Sequence, residues 1–574
     1  MPHTKRATPS TPHATDSTTP NAKTAPQNAT QSTQDAQSQI IAIIDKLKAT
    51  CAAYGLGNDG NEYKIIITMF LYKFLNDKFA CEAKNADSEL KIAGKQWEQK
   101  IATYTEQDYQ TLLYKIGTKS AHLQREHYLS ALYSRQNEPD FATTLDSTLL
   151  SLAELNKDIF AIKTGGGQKV QLFESISNYI VDISNRDNFA RACLSPLINF
   201  SFEDIFTQKY DFFATIFEYL IKDYNKDGGG KYAEYFTPQN VAHIMSRILV
   251  GEQSPKSVQA YDPSAGSGSL LMSLAHTIGE DRCSIYSQDI SQKSSTMLRL
   301  NLILNNLTHS IANIIQGNTL TTPQHSDKRF DFIISNPPFK LDFSDFSDTL
   351  KSLPNTNERF FAGIPNVPKK DKDKMPIYLC FLQHIIYALN DKGKAAIVVP
   401  TGFLTAQSTI EKTIRQRLVR EKSLKGVVSM PSNIFATTGT NVSIIFIDKS
   451  DSHNGDKKVL LMDASKLGSK IKEGKNQKTL LSNAEESKII NTFLANEAIE
   501  DFSVLVDFES IKAKSYSFSA GQYFALKCEH IDISEAEFKS KIADFSESLN
   551  AHFKTSHNLE SEILTQIQNL RLGE

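Results

Sequence analysis

Long apolar runs are missing from this 574-residue chain. No stretch approaches the ~18 consecutive apolar residues of a membrane span. No charged-then-apolar leader opens it either, so neither a span nor a secretion signal is expected. Cysteines are few and scattered: the six at positions 51, 81, 193, 283, 380 and 528 include no CxxC pair. That spacing argues against a zinc ribbon and a disulfide framework, predicts no metal site, and fits a reducing cytoplasm. An excess of charge is missing too. With 63 basic and 65 acidic residues the net charge is −2, so there is no bulk positive field to hold nucleic acid. If the chain meets DNA, the positive surface must be local or belong to a partner. Phosphate-binding P-loops are also absent. Gly165-Gly166-Gly167 and Gly228-Gly229-Gly230-Lys231 both lack the Gly-Lys-Ser/Thr ending.

What is present suggests roughly three or four domains at ~150 residues each. Apolar content of 40% is enough for a large core. Residues 1–39 are rich in Thr, Ser, Pro, Ala and Gln, and are expected to form a disordered low-complexity tail. From 40 to 205, Ile40, Ile43, Ile44 and Leu47, then Ile66, Met69, Phe70 and Phe74, recur at helical spacing and predict a helical N-terminal domain. Residues 206–450 are expected to be the catalytic domain. Helices are predicted at Phe212–Leu220 and from Pro238 to Leu249, the second with Thr237 as its N-cap. Strands are expected at Val258–Tyr261, Ser284–Ser287, Ile311–Ile315, Phe332–Ile334 and Ala395–Pro400, alternating with helices. That alternation predicts an α/β fold with a doubly wound, mainly parallel sheet. Leu341–Met375 reads as a long polar loop, and Leu424–Met430 with Asn441–Asp448 as a hairpin at the sheet edge. Residues 451–574 form a C-terminal region ending in a helix. Its apolar residues Phe538, Ile542, Phe545, Leu549, Leu559, Ile563 and Leu570 fall near a heptad seam. Packing on its own domain and packing on a partner both fit that helix.

Two segments carry chemistry. In Asp262-Pro263-Ser264-Ala265-Gly266-Ser267-Gly268, two glycines remove Cβ atoms at a strand-to-helix turn, so a ligand can approach the backbone. The next strand ends at Asp289, an acid placed to bond ribose hydroxyls. In Phe332-Ile333-Ile334-Ser335-Asn336-Pro337-Pro338-Phe339, two prolines stop the ladder and present the Asn336 amide on a stiff corner. A rigid corner with a capping Asn is the plain reading. The chemical reading starts from an exocyclic amine on a base, whose lone pair is delocalised into the ring. The Asn336 oxygen and the Pro337 carbonyl can each accept one of its hydrogens, which favours tetrahedral nitrogen and stabilises developing positive charge. Phe339 can stack on the ring. An amine so held needs positioning against an activated methyl group more than it needs a base, and a base in duplex DNA must be rotated out to arrive there.

Several motifs in this order are similar to a known family. They are Tyr235-Phe236-Thr237-Pro238, Asp262–Gly268, Asn336-Pro337-Pro338-Phe339, Phe381-Leu382-Gln383-His384 and Thr438-Gly439-Thr440-Asn441-Val442-Ser443. Glu62-Tyr63-Lys64 with Phe74-Leu75-Asn76-Asp77 near the N-terminus, and Ser515 to Tyr523 near the C-terminus, extend the match. The chain resembles the modification subunit of a type I restriction–modification system, an S-adenosylmethionine-dependent adenine-N6 DNA methyltransferase. The resemblance implies a Rossmann-like methyltransferase domain between a helical N-terminal domain and a C-terminal helical extension. By position, Asp262, Pro263, Ser264, Gly266, Ser267 and Gly268 would surround the methionine part of S-adenosylmethionine. Tyr235, Phe236 and Thr237 would lie near its carboxylate, and Asp289 at its ribose. Asn318 stands where the family commonly has Asp to receive the adenine amino group. Asn336, Pro337, Pro338 and Phe339 would be catalytic. Double-stranded DNA, a specificity subunit and a restriction subunit are the implied partners, with two copies of this chain per complex and no membrane. Cytosine N4, an rRNA guanine or a glutamine amide would suit the same chemistry; the helical N-terminal domain favours DNA. Intact Asn336, Gly266 and Gly268 disfavour a non-catalytic adaptor.

Overall fold

In the computed structural model the chain forms two compact units, Met1–Tyr523 and Phe524–Glu574. The structure describes residues 25–57, 60–206, 216, 219, 237–435, 440–450, 457–473, 476–525 and 533–569. The predicted helix at Phe212–Leu220 and the glycine run 228–230 therefore lie almost wholly outside the described residues, as do Tyr235, Phe236, Thr438 and Gly439.

The first unit opens with helices α1 (Ala25–Ala53), α2 (Glu62–Ala86), α3 (Glu106–Ile116), α4 (Phe141–Leu155) and α5 (Arg186–Ile198). Helix α1 begins well before Ile40, which corrects the expected tail: residues 25–39 are helical. Ala and Gln in that stretch tolerate a helix, and Ile40, Ile43, Ile44 and Leu47 anchor its later turns in the core. Helix α2 is apolar on nearly all sides and runs through the middle of the bundle, so it also buries polar residues. Several of these are matched. Asp77 accepts from the Phe202 amide at 2.8 Å and pairs with Lys73 at 3.0 Å, and the Asn76 oxygen accepts from the Leu129 amide at 2.9 Å. Helix α3 starts on a reciprocal capping box between Thr105 and Asp108.

The strands are β1 (Ile162–Thr164), β2 (Lys169–Val170), β3 (Val258–Asp262), β4 (Cys283–Asp289), β5 (Ile314–Gln316), β6 (Phe330–Ser335), β7 (Leu389–Pro400), β8 (Leu424–Ser429), β9 (Val442–Asp448), β10 (Val459–Asp463), β11 (Ser469–Glu473), β12 (Asn476–Leu480) and β13 (Ser503–Val506). Among the described residues eleven of them form one sheet, in the order β13-β10-β8-β9-β7-β6-β3-β4-β5-β1-β2. From β7 through β6, β3, β4 and β5 to β1 every pairing is parallel. Ala260, Ile285, Ile333 and Ile334 are buried in it, as expected for strands covered on both faces. The covering helices include α6 (Gln239–Val250), α7 (Ser269–Ile278), α8 (Gln292–Leu304), α9 (Tyr378–Ala388), α10 (Thr409–Arg420) and α11 (Asn483–Ala495).

Three features depart from expectation. The strand-poor N-terminal region contributes β1 and β2, a short hairpin that extends the sheet beyond β5. The expected edge hairpin is internal: β9 lies between β7 and β8, and β10 and β13 from beyond residue 450 continue the sheet outward. Hydrophobic runs identify strands, but their neighbours depend on long-range pairing that local pattern does not encode. The supposed polar loop 341–375 is packed. Phe343, Leu350, Phe360 and Met375 are buried in a small core with Ile377, Cys380 and Phe381. Its aromatics are spaced without period, so no element is legible from them.

The second unit holds α12 (Glu535–Asn569), a 35-residue helix with Phe538, Ile542, Phe545 and Leu549 exposed along it.

At the start of α7, Gly268 has φ +83°, and a Cβ built there would stand 2.1 Å from Leu298 Cδ1 on α8. Gly268→Ala is therefore expected to cost about 2–5 kcal/mol, from left-handed backbone and overpacking together. Chemical denaturation measures it. A loss below about 1 kcal/mol would mean that α8 moves aside freely.

Candidate active site

The parallel register of β3 with β6 brings the C-terminal ends of both strands side by side, with β4 and β5 following on the other flank of β3. The loops leaving these four strands meet over one cavity of about 320 Å³. That is the crevice where ligands bind in open α/β sheets, at the strand whose neighbours lead off in opposite directions.

Asp262 is the hinge of this arrangement. Its Oδ1 accepts from the Ser264 amide at 2.9 Å and from the Ser335 hydroxyl at 2.7 Å, and the Ser264 and Ser335 hydroxyls stand 2.9 Å apart. One carboxylate thus joins the turn after β3 to the end of β6. Asp289 does the same on the other side, with Oδ2 accepting from the Gly266 amide at 2.9 Å and Oδ1 from the Ser291 amide at 2.8 Å. Burial raises the pKa of both carboxyls. Asp262 is pushed up to about 7, opposed by its hydrogen bonds and reinforced by the neighbouring Asp289 charge.

The loop after β5 is held from outside the cavity. Arg359, wholly buried, donates to the Leu320 carbonyl at 2.6 Å, the Thr319 carbonyl at 2.7 Å and His384 Nδ1 at 2.9 Å. That leaves the His384 proton on Nε2, 3.3 Å from the Tyr261 hydroxyl. Burial and the guanidinium keep His384 neutral, with its pKa well below the ordinary value. Arg359 and Phe346 come from the segment read as a loop, and Phe346 lines the cavity with Phe381, Ile290 and Leu320. Sequence reasoning missed these apolar walls. The one available signal was Phe381, already conspicuous in Phe381-Leu382-Gln383-His384.

Of the residues expected to build the site, Thr237, Asp262, Pro263, Ser264, Gly266, Asp289, Asn318, Asn336 and Pro338 line this cavity together. Ser267, Gly268, Pro337 and Phe339 do not. Ser267 is buried behind the turn, where its carbonyl accepts from Asn301 at 3.0 Å, and Gly268 makes room for Leu298 and not for a ligand. Pro337 is buried, and the Phe339 ring stands edge-on to Tyr378 with centroids 6.4 Å apart. Tyr235 and Phe236 fall outside the described residues.

Two side chains are engaged differently from expectation. Thr237 does not cap α6, which begins at Gln239 without a side-chain cap. Its Oγ1 instead accepts from Asn336 Nδ2 at 3.2 Å, which leaves Asn336 Oδ1 as the free acceptor of that amide. Asn318 Oδ1 accepts from the Leu320 and Thr321 amides at 2.9 and 3.3 Å. Its oxygen is therefore occupied by its own turn, a local bond that Asn makes readily, and the group left over is the amide nitrogen.

Comparison with known proteins bears on the family and the fold. A family model described as N-6 DNA methylase matches residues 208–531, more than half of the chain. The type I restriction enzyme MpnII methylase subunit of Mycoplasma pneumoniae is 25% identical over 570 residues, covering 91% of this chain and 98% of that protein. The HindI methylase subunit of Haemophilus influenzae is 25% identical, covering 62% of this chain and 77% of its own. Among solved structures, the type I restriction–modification methyltransferase subunit from Streptococcus thermophilus superposes with a TM-score of 0.66 at 24% identity, covering 84% of this chain and 99% of that one. That likeness carries the fold.

The Asp262 carboxyl gives a pH test. Its folded pKa lies above the unfolded value of ~3.9, so the protonated form is favoured by folding. The associated stability is complete below the unfolded value and is lost as pH rises towards about 7. Relative to Asp262→Asn, which keeps the acceptor oxygen, the wild type should lose up to about 1.4 kcal/mol per pH unit between pH 5 and 7. The difference should then level off. A pH-independent difference in denaturation midpoints would contradict the assignment.

Proposed function

From the premise that this chain belongs to the N-6 DNA methylase family, we propose that it transfers a methyl group to the N6 of a flipped-out adenine in DNA. In this reading it is the modification subunit of a type I restriction–modification complex in the cytoplasm. The observation that carries it is the shared cavity: the Asn336 corner and the Asp262–Gly266 turn face each other across one space.

The donor set suits S-adenosylmethionine, which when bound supplies a methyl group activated on a sulfonium. Asp262 and Asp289 offer carboxylates to the cationic part and the ribose hydroxyls, and each Asp289 oxygen, used once on a backbone amide, retains a second lone pair. The Gly266 turn brings backbone close to the ligand, at the start of a helix-bearing loop. Phe346, Phe381 and Ile290 supply apolar walls for a flat ring. Asn318 acts as a donor through Nδ2, which suits a ring nitrogen better than an exocyclic amine. On the acceptor side, Asn336 Oδ1 and the Pro337 carbonyl take the two hydrogens of the target amine and steady the charge that grows on it. Thr237 fixes which end of the Asn336 amide faces the amine, and the two prolines keep the corner from yielding. Phe339 serves the incoming base by stacking.

Target choice is assigned to a specificity subunit and cleavage to a restriction subunit, with two copies of this chain per complex. The N-terminal helical segment and α12 are the proposed contacts to DNA and partner.

Asn336→Ala should lower single-turnover methyl transfer by about 10²–10³-fold, with cofactor affinity kept. Mass spectrometry of digested DNA, modified by the complex assembled with its specificity subunit, reads the product. A near wild-type rate sinks the mechanism, and N4-methylcytosine in place of N6-methyladenine would redirect it. Thr237→Val should slow the same step by roughly 3–10-fold, the worth of one hydrogen bond, and Thr237→Ser should restore it. If Thr237→Val weakens cofactor binding but leaves the saturated rate intact, Thr237 belongs to the cofactor and not to Asn336.

A further inference from the structure

Beyond β10 the chain turns through residues 464–468 into β11 and β12, which form a separate two-stranded sheet. From Lys466 to Leu480 the sequence holds five lysines and one acid, Glu473, in a chain whose net charge is −2. Charge so concentrated is the local positive surface that a protein without a bulk positive field needs in order to meet DNA.

The register sorts these lysines. Lys470 stands opposite Thr479 and Lys472 opposite Gln477, so both lysines project from one face of the ribbon. Lys466, Lys470 and Lys472 are exposed, and none of them pairs with a carboxylate among the described residues. The ribbon is held at its base. Thr479 is buried; its hydroxyl donates to the Ser432 carbonyl at 2.6 Å and its amide to the Asn433 carbonyl at 3.0 Å. Gly468, at φ +87°, lies against it, since a Cβ there would stand 2.5 Å from the Thr479 methyl. Residues 432 and 433 belong to the chain leaving β8. The face that carries Thr479, Lys470 and Lys472 is therefore turned towards β8.

The sheet fixes where the ribbon emerges. β10 is parallel to β8, and β8 runs with β7 and β6 because β9 between them is antiparallel to both β8 and β7. The ribbon thus leaves the sheet at the edge where β6 delivers the Asn336 corner. Four strand steps separate β10 from β6, about 19 Å at ~4.8 Å per step. Along a duplex that distance is five to six base pairs, at ~3.4 Å each. A two-stranded ribbon is narrow enough to lie at a major groove. Its lysines are point charges, however, and lack the planar fork that reads a base edge in two bonds, so phosphates suit them better.

We propose that the β11–β12 ribbon holds the DNA backbone beside the methylation target. Lys470 and Lys472 then lie on phosphates roughly five to six base pairs from the flipped base. The inference rests on the methyltransferase reading above, to which it adds a phosphate contact.

The test uses the full-length chain assembled with its specificity subunit, and a fluorescent DNA duplex of random sequence, whose binding needs no methylation. Anisotropy titrations at several salt concentrations give the affinity and its salt slope. Lys470→Gln combined with Lys472→Gln should weaken binding roughly ten-fold or more near ~0.1 M salt, and should make log K against log salt shallower by about 2. The same two charges removed near the starts of β7 and β8, at the opposite edge, by Lys392→Gln and Lys425→Gln should change neither. An unaltered slope in the ribbon variant overturns the proposal, as does a wild-type complex that does not bind the duplex. An equal change in the opposite-edge variant also overturns it, since that reports net charge alone. If the ribbon variant loses the specificity subunit on size-exclusion chromatography, the ribbon is a protein contact and the proposal falls. Methyl transfer by the wild type is a separate readout: its absence counts against the methyltransferase reading, whereas active enzyme with an unaltered slope sinks the ribbon alone.

Discussion

The parallel pairing of β3 with β6 is the constraint on which the rest depends. It sets Ala260 opposite Phe332 and Tyr261 opposite Ile333, so the end of β3 at Asp262 and the end of β6 at Ser335 come out within one residue of each other at the same sheet edge. The Ser335 hydroxyl then reaches the Asp262 carboxylate at 2.7 Å. A one-residue slip would turn every side chain of β6 to the opposite face and would break both that bond and the shared cavity. Two turns separated by some seventy residues become one site because a register holds them together.

Around that edge, buried guanidinium groups do the tying. Arg359 binds the carbonyls of Thr319 and Leu320, and Arg299 those of Phe160, Val170 and Gln171. Arg415 binds the carbonyls of Phe403, Ala406 and Tyr516, which fastens the segment before α10 and the stretch around Tyr516 to the middle of α10. None of the three forms an ion pair with a carboxylate among the described residues. Each donates to several backbone carbonyls, most of them in segments with no regular ladder of their own. The guanidinium's planar fork can bond several such carbonyls at once, so it suits the joining of irregular segments where a single hydroxyl would reach one.

Much of this was legible in sequence. The short apolar runs at β3, β4, β6 and β7, each closed by Asp, Gly or Pro, identify strands and their loop-bearing ends. Asp262, Gly266, Asp289 and Asn336 were readable as site residues because each stands at a strand end, with a residue type that suits a ligand edge. Roles were less legible than positions. Gly266 and Gly268 look alike in sequence, yet one lines the cavity and the other accommodates Leu298 from a different helix. Thr237 reads as a helix cap, whereas its hydroxyl is taken by Asn336 from a distant strand. Asn318 reads as an acceptor, whereas its oxygen is spent on two amides of its own turn.

By itself the sequence determined the element types and the corner residues, because periodicity, proline and glycine act on the backbone within a few residues of where they stand. Only the tertiary structure decided strand order beyond β7, the packed state of residues 341–375, and which partner each polar group takes. Those outcomes are set by contacts between residues tens to hundreds of positions apart, such as Arg299 with Phe160 and Thr237 with Asn336. A hydrogen bond of that range leaves no local trace in composition or spacing, and it exists only once the sheet has brought its ends together.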